Sequence, residues 1–123
     1  MYEFPSEIDF LSLFECDPTL LDVTKDFPFY YNQATYRFSN GKEDFIVNLS
    51  PSYGEVKIQV IRSDSNRLLS LLDLKSVKKF EIIADKKDHS SVLIINKNED
   101  IEQVVEIQFK PQFKQIFKEQ LIR

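Results

Sequence analysis

The sequence predicts an α+β protein: a curved antiparallel meander sheet of six or seven strands, with an N-terminal helix and a C-terminal amphipathic helix packed on its apolar face. Three observations carry that expectation. Hydrophobic spacing is helical before residue 16, alternates from about residue 30 to residue 109, and turns helical again near residue 112. The connections between the alternating stretches are short, roughly two to five residues, and parallel neighbours would need long crossovers, so the strands must be antiparallel. Finally, 123 residues with 42% hydrophobic side chains, among them 11 Phe and 5 Tyr, suffice to bury one core without disulfides.

Ser6 followed by Glu7 and Asp9 places a hydroxyl cap and two acids at a helix start, and Phe10, Leu11, Leu13 and Phe14 supply an apolar face, predicting a helix over about 7–15. Asp17-Pro18 should stop it and cap a second short turn through Leu20, Leu21 and Val23. A first strand is expected from Tyr30, with Ala34, Tyr36 and Phe38 on one face, ending at Asn40-Gly41. Phe45, Val47 and Leu49 alternate with Ile46, Asn48 and Ser50 in a second, which closes at Pro51-Ser52-Tyr53-Gly54. Val56, Ile58 and Val60 alternate with Lys57, Gln59 and Ile61 in a third, bounded by Ser63-Asp64-Ser65-Asn66. Residues 67–74 are leucine-rich and open to either helix or strand, with strand preferred because turn signals crowd both ends. Val77 to Ala84, Val92 to Ile95 and Ile101 to Phe109 read as strands five to seven. Pro111 then suits a helix start, and Phe113, Ile116, Phe117 and Leu121 fall at spacings of three and four, predicting a helix over about 112–121 that covers the sheet. On that placement Phe117→Ala should cost much of the stability. All of this fits one domain, 1–123, made of an acidic helical segment (1–28), an antiparallel sheet (29–109) and the closing helix (111–122).

Charge is unevenly spread. Residues 1–30 carry seven acids against Lys25 alone, a net of −6, whereas the remaining residues hold 15 bases and 13 acids, a net of +2. An acidic protein whose 12 Lys outnumber its 4 Arg repels phosphate backbones and has few planar forks for reading bases, which disfavours nucleic acid and favours a basic protein partner. Asp17, Asp22 and Asp26 are the candidate steering charges. Where the acidic segment meets the first expected strand lie Phe27, Phe29, Tyr30, Tyr31 and Tyr36, and tyrosine combines contact area with a polar tip. Tyr30 and Tyr31, adjacent in an expected strand, must point to opposite faces, so one of them is expected at the surface together with Tyr53. Asp17, Asp22, Asp26, Tyr30, Tyr31 and Tyr53 are therefore the candidate partner-binding residues.

Catalytic chemistry finds little material. Cys16, the single cysteine, has no internal disulfide partner and is flanked by Glu15 and Asp17, which blunt a thiol, and the single histidine, His89, has no second ligand at metal-binding spacing. Two isolated glycines, Gly41 and Gly54, build neither a phosphate loop nor a dinucleotide fingerprint. No cofactor and no metal site are expected. No apolar run approaches the ~18 residues of a membrane span, and the acidic start lacks the order of a secretion signal, so the expectation is a soluble cytoplasmic chain with no membrane partner.

In its general cut the chain resembles the small bacterial immunity proteins that neutralise polymorphic toxins. The likeness is carried by the opening from Phe4-Pro5-Ser6 to Phe14, the Leu72-Asp73-Leu74-Lys75-Ser76-Val77 connection and the Phe109-Lys110-Pro111 exit. That resemblance implies a non-enzymatic inhibitor that masks the basic substrate groove of a toxin domain. A reading from another class is a small-ligand or lipid-binding domain whose eleven phenylalanines line a pocket between the sheet and the C-terminal helix.

Overall fold

A computed structural model describes residues 2–122. Its one α-helix, α1 (Glu7–Phe14), starts as the sequence dictates. The Ser6 hydroxyl accepts from the Asp9 N–H (3.2 Å), and the Asp9 carboxylate accepts from the Ser6 N–H (3.1 Å), a reciprocal box that satisfies two end donors. Glu15, in the left-handed region (φ 56°), ends the helix, and its Phe10, Leu13 and Phe14 are buried, the three- and four-residue spacing of a single face.

The rest is mostly strand. β1 (Thr19–Leu20), β2 (Ala34–Ser39), β3 (Glu43–Ser50), β4 (Glu55–Arg62) and β5 (Arg67–Leu74) form a five-stranded antiparallel sheet in sequence order. β6 (Val77–Lys86), β7 (His89–Lys97), β8 (Ile101–Lys110) and β9 (Lys114–Leu121) form a four-stranded one. Alternate residues of both turn inward: Phe45, Val47 and Leu49 from β3, Val56, Ile58 and Val60 from β4, Val92 and Ile94 from β7, and Val105, Ile107 and Phe109 from β8. α1 packs at the side of this core. Phe10 meets Phe80 edge-on (5.2 Å) and tilts against Tyr36, while Phe14 stacks on Phe38 (4.8 Å) and meets Phe109 edge-on.

These findings correct the predicted α+β class. The chain is predominantly β, its strands divide between two sheets where one curved sheet was expected, and the C-terminal segment is a strand and not a helix. The reason lies in the spacing of four. Phe113, Phe117 and Leu121, like Lys110, Lys114 and Lys118, recur every four residues, which keeps them on one side of a helix and equally on one side of a strand. Only Ile116 distinguishes the two, and it lies with the lysines on the opposite face. The open edge of β8 decides the outcome, because β9 pairs with it along its whole length, Val105 opposite Phe117 and Ile101 opposite Leu121. Phe117 is half exposed in consequence and covers no sheet face. The Phe-lined pocket between sheet and C-terminal helix loses its second wall, and the core phenylalanines pack on one another, stacked or edge-on.

Smaller corrections concern the N-terminal third. Leu20 belongs to the short β1, which pairs with β2 (Leu20 opposite Ala34), and not to a helical turn. Phe29–Tyr31 is a 3-10 turn, so the strand expected from Tyr30 begins at Ala34. Residues 67–74 are a strand, as preferred.

Candidate functional site

Two segments without long strands of their own meet at one end of the five-stranded sheet. The first runs from Leu21 to Gln33 and is pinned by Asn32, one of the few buried polar residues. Its side-chain oxygen accepts from the N–H groups of Asp22 (3.0 Å) and Gln33 (2.9 Å), and its amide nitrogen donates to the Asp22 carbonyl (2.9 Å). The Leu21 N–H donates to the Gln33 carbonyl (2.9 Å), so the segment leaves and re-enters the sheet at one point; its Phe29 packs against the core, while Leu21 and Val23 stay exposed. The second segment is the β3–β4 connection, a 3-10 turn at Pro51–Tyr53 closed by Gly54 at φ 66°. A Cβ on Gly54 would stand 2.8 Å from the Val77 carbonyl oxygen, and the Gly54 carbonyl accepts from the Val77 N–H (2.8 Å). Glycine is therefore demanded twice, by its conformation and by the close approach of β6.

Between the segments lies a groove of about 590 Å³, lined by Leu21, Asp22, Val23, Phe27, Tyr31 and Tyr53 among others, with Glu55 as a second acid and neither Lys nor Arg among its lining residues. Leu21, Val23, Tyr31 and Tyr53 each leave more than half their surface to solvent. The groove thus sets exposed apolar and aromatic side chains beside two carboxylates. The Asp22 carboxylate accepts from the Thr24 N–H (2.8 Å), and bonds from the Thr24 hydroxyl and backbone together hold it below the ordinary carboxylate range, which keeps the charge in place.

Of the residues singled out from sequence, the structure brings Asp22, Tyr31 and Tyr53 to this groove. Tyr31 and Tyr53 are the exposed tyrosines, although Tyr31 owes its position to a 3-10 turn and not to strand alternation. Tyr30 is half-buried beneath it, edge-on to the Tyr31 ring at 5.3 Å, with its hydroxyl donating to the Tyr2 carbonyl (3.3 Å). Asp26 is exposed in the turn where the Phe27 N–H donates to the Thr24 carbonyl (3.0 Å), and Asp17 is exposed beyond the end of α1; neither lines the groove. No ion pair among the described residues engages Asp17, Asp22 or Asp26. By contrast Asp9 is spent on the helix cap and Glu15 pairs with Lys110, so part of the N-terminal charge is structural.

Sequence reasoning missed Leu21, Val23, Glu55 and the staple Asn32. A signal for the first two existed: apolar residues alternating with Asp22 and Thr24 in a stretch too short to bury either. Burial pushes the Cys16 thiol up, offset in part by a hydrogen bond from the Arg37 backbone and reinforced, by less, by the Asp17 charge. That thiol is a poor nucleophile. Among the described residues no group of three or more His, Cys, Asp or Glu is placed to hold a metal ion, and no helix is long and apolar enough to cross a membrane.

No family model matches the chain, and no curated protein matches it. Its architecture does have a solved counterpart. The chain superposes on a chain of the contact-dependent growth inhibition toxin–immunity protein complex from Klebsiella pneumoniae 342 with a TM-score of 0.73, at 18% identity and over 97% of both chains. The two share a fold. At that identity the likeness is one of fold, and it runs the length of both chains.

Proposed function

We propose that this chain is a non-catalytic, immunity-type binding module that masks a basic surface of a toxin-like protein partner with its acidic aromatic groove. The observation that carries the reading is the convergence of Asp22, Tyr31 and Tyr53 with exposed Leu21 and Val23 on one groove free of basic lining residues. The fold shared with a chain of a toxin–immunity protein complex supports it. In this reading Tyr31 and Tyr53 anchor the complex, since large rings that lose little side-chain freedom dominate interface energetics. Tyr30 braces Tyr31 from below. Asp22, with Asp17 and Asp26 on the approach, steers a basic partner and raises the association rate more than the affinity. Inhibition by masking needs no catalytic group, which accords with the blunted Cys16 and the solitary His89.

The test begins with the protein that co-purifies with this chain from its native host, which should be basic. Charge reversal at Asp17, Asp22 and Asp26 together should slow its association at least tenfold at low salt and flatten the salt dependence, because steering is screened within ~8 Å at physiological ionic strength. An acidic partner, or an association rate and salt slope indifferent to the reversal, would count against the proposal.

A further inference from the structure

The sheet edges of this molecule are unequally protected. β1 is two residues long, β5 carries a register shift against β4, and β6 is bridged by Glu3, whose N–H donates to the Lys78 carbonyl (2.8 Å). β9 has none of these devices. It is eight residues long, contains no proline, runs against β8 without a bulge, and every residue in it is exposed. A long edge without bulge or proline offers its unpaired backbone groups as a template for another strand, and the charges of Lys114, Lys118 and Glu119 restrict which strand can take it.

The side chains of β9 say which strand. Register with β8 puts Gln115, Phe117, Glu119 and Leu121 on the core-side face, opposite Ile107, Val105, Gln103 and Ile101, and Lys114, Ile116, Lys118 and Gln120 on the outer face. The Ile122 N–H donates to the Asp100 carbonyl (2.8 Å), which sets the phase of the ladder. Even-numbered residues turn their backbone groups to β8, and Gln115, Phe117, Glu119 and Leu121 offer theirs to the open edge. Read outward from Phe117, the core-side row is a palindrome in character: polar Gln115 and Glu119 on either side, then apolar Phe113 and Leu121.

We propose that two copies of this chain pair β9 to β9, antiparallel, about a two-fold axis at Phe117. Phe117 then meets its own symmetry mate, Gln115 meets Glu119 of the second copy in exchange for the bonds these two accept within the chain, from the Ser70 hydroxyl (3.0 Å) and the Gln103 amide (2.8 Å), and Phe113 meets Leu121, while on the outer face Ile116 meets Lys118 and Lys114 meets Gln120. Sliding the pair by one step of the pleat in either direction sets lysine against lysine, Lys118 on Lys118 or Lys114 on Lys118, so charge selects the register. Pairing along one edge buries less than the roughly 1,200 Å² of standard interfaces, so the dimer is weak and forms as concentration rises. No β9 residue lines the acidic groove, so each copy keeps its groove free.

Sedimentation velocity of the full chain from roughly 10 μM to 1 mM, the weak end of the affinity range, tests this. The chain should pass from monomer to dimer. Phe117→Lys, which opposes two lysines at the axis, should stay monomeric throughout with an unchanged thermal melt. Gln115→Lys, facing Glu119 of the second copy, should tighten the dimer several-fold, and Gln115→Glu should weaken it. A wild-type chain monomeric at every concentration, a Phe117→Lys chain that dimerises like the wild type, or Gln115 variants that both shift the equilibrium the same way would overturn the proposal. Capture of the partner by Phe117→Lys separates this result from the groove reading, which it leaves untouched.

Discussion

At the scale of single residues, Asn32 and Asp22 hold the groove in shape. Asn32 satisfies two N–H groups and one carbonyl with a single side chain, so Asn32→Ala strands three backbone groups at once. Each imperfectly satisfied group carries a desolvation penalty, and the substitution should cost about 1–3 kcal/mol in urea unfolding while loosening residues 21–33 in amide exchange before the rest. Asp22 adds a pH signature. Its carboxyl is held below the ordinary value of 3.8, so the stabilisation it contributes is present above that value and is lost as pH falls through the folded-state value. Asp22→Asn should therefore remove that part of the acid-side loss, seen as a shallower fall of the unfolding midpoint below about pH 4. Tyr53 was legible in the sequence from its place in a turn, whereas the exposure of Tyr31 was expected from strand alternation and comes instead from a 3-10 turn. Asn32 was not legible, because an asparagine before a strand carries the same letters whether it staples a distant carbonyl or faces water.

At the scale of elements, the assignments succeeded where period and punctuation agreed. Ser6 with Asp9 announced α1, and strict alternation from Phe45 to Leu49 and from Val56 to Val60 announced β3 and β4. β9 failed because its spacing of four satisfies a helix and a strand alike, and pairing with β8, a tertiary event, settled it. The two placements differ in a measurable way. Phe14 lies in the core, 3% exposed, against Phe38 and Phe109, whereas Phe117 is 50% exposed on an edge. Phe14→Ala should cost about 3–5 kcal/mol and Phe117→Ala less than about 1 kcal/mol. Thermal melts of the two variants side by side check this, and equal losses would return Phe117 to the interior.

At the scale of the whole molecule, one chain carries an acidic, aromatic end and a self-complementary edge on separate sheets. The net of −6 in the first thirty residues was visible in the sequence. What it could not show is which acids remain free once the fold has used Asp9 for a cap and Glu15 for an ion pair, because both commitments depend on neighbours set by folding. In the proposed function a basic partner binds at the groove of Asp22, Tyr31 and Tyr53. The most direct test of that binding is the affinity of the co-purifying partner for the Tyr31→Ala/Tyr53→Ala chain, measured by titration calorimetry alongside a melt of the free variant. Each anchor at about 2 kcal/mol predicts a loss of at least roughly 100-fold with the melt unchanged. An affinity within twofold of the wild type would contradict the account and move the binding surface elsewhere on the molecule.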